Sequence, residues 1–385
     1  MPASPKVMIY VQHLLGVGHL HRVAAIARAM ARDGCETLLV SGGMPDPTLH
    51  GLDNIRFVQL PPARARDASF RVLLDENGAE ITDTWREGRI QKLNEIFDAF
   101  APDALLTELF PFGRRPMRFE LLPLLERIRG LHPRPVVFSS VRDILVDRTK
   151  PERDQDTISW LQQYYDAVLV HGDPALVPFE KTFPLANRIA GQLHYTGYIV
   201  EQQSVPATAD GVDEVLVSAG GGAVGMPLFR TAAAARSLSV ARTLRWRILA
   251  SRYEDPDALA ALRGEAGPDV TIETVRPDFP GMLRHCALSI SKAGYNTVME
   301  TLASGARAIV VPFSGGEETE QALRAGLLAE RGAMQMIREN ELTPAKLATA
   351  IDRALSSPKP ARPPVRLNGA EETVRLVRQF IAQRS

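Results

Sequence analysis

Short runs of valine, isoleucine and leucine recur along this chain with helical patterns between them, and that alternation leaves few folds open. "VMIYV" (7–11), "ETLLVS" (36–41), "IRFVQL" (55–60), "ALLTEL" (104–109), "PVVFSS" (135–140) and "AVLVHG" (167–172) mark the first half. "EVLVSA" (214–219), "RWRILA" (245–250), "VTIETV" (270–275), "LSISKA" (288–293) and "AIVVPF" (308–313) mark the second. Continuous apolar strands of this kind are buried on both faces, as in parallel sheets. Leu20, Val23, Ala24, Ala27 and Met30 recur at helical spacing over 19–33. Strands alternating with helices make an α/β protein.

At 385 residues the chain suits two domains of ordinary size. The rhythm breaks at "EQQSVPATADGVD" (201–213), which is polar, aperiodic and reads as a linker. Domains are therefore expected over 1–202 and 203–365. The proline-rich "SSPKPARPP" (356–364) precedes a last helical pattern at about 370–383. A long irregular stretch covers about 61–84, and loops of that length in compact domains are often functional.

Charge and cysteine content remove several function classes. The 45 basic and 45 acidic residues cancel, whereas a nucleic-acid-binding protein usually carries a basic excess. Cys35 and Cys286 are the two cysteines, too few for a disulfide scaffold or a thiolate metal site. "MPASPK" lacks the apolar core of a signal peptide. No run approaches the roughly 18 apolar residues of a spanning helix. A cytoplasmic protein is the expectation.

The first strand runs into "HLLGVGHLHR" (13–22), where Gly16, Gly18, His19 and Arg22 meet at a strand-to-helix turn. Glycine lets backbone approach a ligand, and a helix N-terminus attracts negative charge. A dinucleotide fingerprint needs a third glycine, but His21 holds that position, and Glu36 precedes its strand rather than ending it. NAD is not expected. An imidazole at a helix start, on the carboxyl edge of a sheet, is placed for base chemistry. Glu108, ending "ALLTEL", lies at the same edge and either orients His19, serves as the base, or is a strand-end acid in water.

The second half has its own glycine turn. In "VLVSAGGGAVG", Gly220, Gly221 and Gly222 follow a strand, and their amides suit a diphosphate. The segment "LSISKAGYNTVMETLASGARAIVVPFSGGEETEQALRAGLLAERGA" (288–333) places Lys292 and Gly294 at a strand end. Thr297 and Glu300 follow on a helix, Pro312 ends the next strand, and Glu320 and Gln321 open another helix. Glu300 can accept hydrogen bonds from a ribose diol, and Glu320 and Gln321 can meet sugar hydroxyls.

These residues resemble the nucleotide-sugar-binding core of family 28 glycosyltransferases, which include the peptidoglycan N-acetylglucosaminyltransferase and plant galactolipid synthases. Gly294, Thr297, Glu300, Val311, Pro312, Glu320 and Gln321 match the family pattern. "SAGGG" resembles the family's diphosphate loop. The G-x-G-H-x-x-R turn resembles the start of bacterial predicted glycosyltransferases, and also of nucleotide-sugar hydrolases of the pseudaminic acid pathway. The resemblance implies a GT-B fold, two facing Rossmann-like domains with a cleft between them. It places the donor on the C-terminal domain and the acceptor mostly on the N-terminal one, with 366–385 as a helix crossing back to the first domain. Glu300 would hold the ribose, and Gln321 with Glu320 the donor sugar.

The implied reaction is inverting transfer of a hexose or N-acetylhexosamine from a UDP-sugar to a hydroxyl. His19 is the expected base. Backbone amides and a basic group (Arg22, Arg252 or Lys292) would steady the departing diphosphate. No cofactor or metal is expected: "DQD" (154–156) and "DPD" (255–257) read as solvated turns, and His13, His19 and His21 do not converge. The acceptor is left open between lipid-linked molecules and glycans, with peripheral attachment to the inner face of a membrane allowed. Arg64, Arg66, Arg71 and Trp85 could meet an anionic acceptor, though a solvated basic loop explains them as well. Two alternatives stay open: a hydrolase or nonhydrolysing epimerase on the same fold, and a non-catalytic nucleotide-sugar-binding protein.

Overall fold

The computed structural model describes residues 4–47, 49–67, 70–145, 151–200, 209–220, 224–315, 319–360 and 365–384. The chain divides into two compact units, Met1–Ile199 with Arg366–Ser385, and Val200–Val365. Most of the linker expected at 201–213, and part of the proline-rich stretch at 356–364, lie outside the described residues.

The first unit is built on strands β1 (Lys6–Val11), β2 (Glu36–Ser41), β3 (Arg56–Gln59), β4 (Arg64–Ala65), β5 (Leu73–Leu74), β6 (Ala104–Glu108), β7 (Val136–Arg142), β8 (Ala167–His171) and β9 (Leu193–Tyr195). Seven of them form a parallel sheet in the order β3-β2-β1-β6-β7-β8-β9. Its helices are α1 (Gly18–Arg32), α2 (Asp83–Phe100), α3 (Arg118–Arg129) and α4 (Pro151–Tyr164). The sheet's period of two separates two cores. Met8, Tyr10, Leu105 and Val137 face one way, with Leu93 of α2, Leu121 of α3 and Ile158 of α4. Val7, Ile9, Leu106 and Phe138 face the other, with Val23 and Ile26 of α1.

That second face is completed from the far end of the chain. Helix α11 (Gly369–Ala382) buries Ala370, Val374, Leu376 and Val377 in the same core as α1. Its apolar stripe at helical spacing packs against this core.

The second unit repeats the plan with β10 (Val215–Ser218), β11 (Trp246–Ala250), β12 (Val270–Thr274), β13 (Leu288–Lys292), β14 (Ala308–Val311) and β15 (Gln335–Met336). All are parallel, in the order β12-β11-β10-β13-β14-β15. The helices are α5 (Met226–Arg236), α6 (Pro256–Ala266), α7 (Phe279–His285), α8 (Tyr295–Ser304), α9 (Glu320–Glu330) and α10 (Pro344–Ser356). Both units are Rossmann-like.

The irregular stretch at 61–84 is not all loop. It holds the antiparallel pair β4–β5, and Thr82 caps α2 by accepting the Trp85 amide at 3.2 Å. The two acidic triplets belong to helices rather than turns, and "DPD" is solvent-exposed as expected. "DQD" lies on α4, where Asp154 is buried, and Asp255 of "DPD" caps α6 by accepting the Asp257 amide at 3.0 Å.

Beneath the end of β1 lies a buried ionic network. Arg89 of α2 donates to Glu120 of α3 at 2.6 Å and to Gln12 Oε1 at 2.5 Å, and its other amino group reaches the Gly42 carbonyl at 3.0 Å. Tyr10 donates to the same carboxylate. Gln12 in turn donates to the Ala63 carbonyl at 3.0 Å. A buried charge must be paired on every side, and here it is. Gly42 is required by this network, because a Cβ there would run into Arg89 and Gln12.

Candidate active site

The first sheet reverses its strand order between β1 and β6, and ligands of open α/β sheets bind at the carboxyl side of such a reversal. After β1 the chain turns through Gly16, whose φ of +60° favours glycine, and enters α1 at Gly18. No side chain caps α1, and no acid sits in its first turn.

His19 and Glu108 meet at this reversal. His19 Nδ1 lies 3.0 Å from Glu108 Oε1, and the Arg22 guanidinium donates to the same oxygen. Ser140 Oγ donates to Glu108 Oε2 at 2.6 Å. Glu108 is 1% exposed, so it is not a strand-end acid in water. His19 keeps 13% of its side-chain surface in solvent. Burial, with Arg114, Arg142 and Arg22 nearby, holds its imidazole well below its usual value of 6.5. It is neutral near pH 7, as a general base must be.

The second sheet reverses between β10 and β13. Gly220 follows β10 with φ +72°, Lys292 ends β13, and Gly294 follows it. A Cβ on Gly220 would stand 3.8 Å from Thr297 Oγ1, so the glycine turn and the first turn of α8 are neighbours. Helix α8 starts at Gly294 without a side-chain cap or an acid in its first turn. Glu300 is half-buried on α8, one turn beyond Thr297 on the same face. Gly221 and Gly222 lie outside the described residues.

Comparison with known proteins agrees with this fold. Residues 241–376 match the glycosyltransferase family 28 C-terminal domain. The N-acetylglucosaminyltransferase of Phenylobacterium zucineum, which acts on N-acetylmuramyl-(pentapeptide) pyrophosphoryl-undecaprenol, is 29% identical over 157 residues, 40% of this chain and 42% of that protein. Its namesake from Brucella anthropi is 30% identical over 157 residues, 40% of this chain and 41% of that one. The chain thus spans about two-fifths of the length of these curated relatives. Solved structures match end to end. MurG of Acinetobacter baumannii superposes with a TM-score of 0.59 at 17% identity, over 97% of this chain and 99% of its own. The calicheamicin glycosyltransferase CalG4 gives 0.58 at 16%, over 99% and 95%.

The chain has a GT-B fold, and its residues 241–376 match the C-terminal domain of glycosyltransferase family 28.

Within the GT-B chain several expected residues face inward. Arg22 is 3% exposed and committed to Glu108, so it is not placed to meet a phosphate. Lys292 is buried and paired with Glu339, whose other oxygen accepts the Ser314 amide and hydroxyl at 2.8 Å each. Glu320 is buried against Arg324 of the same helix at 2.9 Å, and Arg324 lies over the Tyr295 ring. That arrangement packs α9 on α8 rather than presenting an acid to a sugar. Gln321 Oε1 accepts the Phe313 amide at 3.1 Å and fixes the loop after β14.

The three histidines diverge. His13 Nε2 pairs with the Met44 carbonyl at 2.9 Å and His21 Nε2 with Asp46 at 2.8 Å. Among the described residues, no group of three or more His, Cys, Asp or Glu could hold a metal. No described helix is long and apolar enough to cross a membrane. Of the basic residues near 61–84, Arg66 pairs with Glu80. Pro61, Pro62, Trp85 and Lys92 line a pocket of about 640 Å³ beside β3.

Sequence reasoning missed Ser140, His171 and the arginines around His19. A signal existed: Ser140 and His171 lie at the carboxyl ends of "PVVFSS" and "AVLVHG", as Glu108 does in "ALLTEL". Polar residues closing apolar parallel strands face one sheet edge together. Arg114 carried no such pattern. It sits in the left-handed region with φ 56° and donates to the Gln12 carbonyl at 2.7 Å.

Proposed function

We propose that this protein transfers a hexose or N-acetylhexosamine from a UDP-sugar to an acceptor hydroxyl, with inversion and without metal. The observation that carries the reading is the neutral, carboxylate-backed His19 at the strand reversal of the first sheet. The matching reversal of the second sheet supports a donor site, with the Gly220 turn, the start of α8 and Glu300.

His19 Nε2 takes the proton of the acceptor hydroxyl. The oxygen attacks the anomeric carbon as the bond from that carbon to the diphosphate oxygen breaks, and the electron pair leaves with UDP. The amides at the start of α8 and around Gly220 offset the charge on the leaving group. Arg252, exposed just past β11, supplies the basic side chain that Arg22 and Lys292 do not.

The test is a thermal-shift screen over nucleotide sugars, followed by product analysis with and without a panel of glycan and lipid-linked acceptors. Transfer product and UDP together support the reading. Free sugar or an epimerised donor at full rate without acceptor overturns it in favour of a hydrolase or epimerase. Binding without turnover makes the chain a binding protein.

Glu300→Ala is expected to weaken UDP binding more than tenfold by calorimetry, since a charge-assisted hydrogen bond contributes roughly 1.5–3 kcal/mol. Unchanged affinity removes Glu300 from the site. Turnover is expected to survive EDTA. Loss with EDTA that magnesium or manganese restores would overturn the metal-free mechanism.

A further inference from the structure

A row of polar side chains continues from Glu108 across the first sheet. Ser140 on β7 is the register partner of Glu108 on β6 and of Leu169 on β8, and His171 lies two residues beyond Leu169. The period of two puts all three polar side chains on the face that α1 covers. Ser140 Oγ and His171 Nε2 are 2.8 Å apart, and His171 Nδ1 and Thr196 Oγ1 are 2.9 Å apart. Ser140, His171 and Thr196 are all fully or almost fully buried.

The direction of the two bonds at Ser140 follows from counting protons. Ser140 has one, and it goes to Glu108 Oε2. Ser140 can then only accept from His171, so His171 carries its proton on Nε2. Its Nδ1 is then a lone pair, and it shares the single Thr196 hydroxyl proton with the Gly197 carbonyl, which lies 2.8 Å from the same oxygen. Burial holds His171 neutral, pushed down to about 3. The chain of donors therefore runs one way, from His171 to Ser140 to Glu108.

At its end a choice is made. Two groups compete for His19 Nδ1: Glu108 Oε1 at 3.0 Å and the Arg22 amino group at 3.3 Å. Facing the carboxylate, Nδ1 must carry the proton, which leaves Nε2 bare to act as a base. Facing the guanidinium, Nδ1 must be the lone pair, and the proton moves to Nε2. The other ring nitrogen's partner sets the tautomer.

We propose that Ser140 and His171 are positioning residues, a buried tether that pins Glu108 against His19 and so selects the tautomer with a free Nε2. The inference rests on the reading of His19 as the base, but its first readout needs no substrate.

Nitrogen–proton correlations of the histidine rings, recorded on the ligand-free full chain near neutral pH, report each tautomer. The native protein should show His19 protonated on Nδ1 and His171 on Nε2. Ser140→Ala and His171→Phe should shift His19 toward the Nε2-protonated form. Both should lower turnover at least tenfold while leaving UDP affinity unchanged. His171→Gln, whose amide can donate to Ser140 and accept from Thr196, should recover much of both. A folded Ser140→Ala protein with the native His19 tautomer overturns the proposal. So does a native spectrum with His171 protonated on Nδ1, which decides the matter even if the variants fail to fold. A native protein with the expected tautomers but no transfer activity would instead overturn the catalytic reading and leave the tether standing.

Discussion

His19→Ala should cut turnover by roughly 10²–10⁴, the usual effect of removing a positioned acid–base group. UDP affinity should stay within about twofold, because the proposed donor residues Gly220, Thr297 and Glu300 all belong to the other unit. Single-turnover rates and calorimetry with UDP measure the two separately. Near-native turnover in a folded His19→Ala protein would reduce the glycine turn to a tight turn with no chemistry. The pH profile gives a second check. A base works above its pKa, and burial with Arg114, Arg142 and Arg22 lowers that of His19. The acid limb of kcat/KM should therefore fall below pH 6.5. A limb above that value would show a different group titrating.

Arg89→Met should be the most damaging single change to stability. It leaves Glu120 buried beside Tyr10 with its cation gone, and it strips donors from Gln12 and the Gly42 carbonyl. Breaking one partner of a buried ion pair costs about 3–5 kcal/mol. For a unit of this size that is a fall of roughly 6–20 °C in the melting transition. Calorimetry on the full chain checks it, and Arg89→Met with Glu120→Leu should recover most of the loss, since apolar replacement of both partners is often neutral. A single variant that melts like the native protein would show that the network carries no net stability. The link to function is direct: the network fixes Gln12, from which the His13–Gly18 loop departs.

Much of the fold was legible because parallel strands advertise themselves. Each apolar run read as a strand is one, and the sheets follow from the alternation of strand and helix. β9 ("LHY") and β15 ("QM") escaped because short edge strands need no apolar run. The meeting of His19 and Glu108 was legible for the same reason as the strands. Both sit at carboxyl ends, and parallel topology brings carboxyl ends together. What the sequence hid was direction around a helix. Arg22 stands three residues after His19 and turns inward to the same carboxylate, while Glu320 turns to Arg324 four residues on. The four-residue spacing of an acid and an arginine was a sign that Glu320 had a partner of its own. Ser140 and His171 were hidden differently, since their role depends on which protons are already spent.

The docking of α11 on α1 also sets an order of events at the ribosome. The first unit is made first, yet part of its core is supplied by Ala370, Val374, Leu376 and Val377, which emerge after the whole second unit. At about 5–20 residues per second that is a wait of roughly ten to thirty seconds with one apolar flank of the nascent sheet layer uncovered. Until then the first unit lacks the residues that complete one of its two cores. A stop codon at or before Ala370 would extend that exposure for the life of the protein.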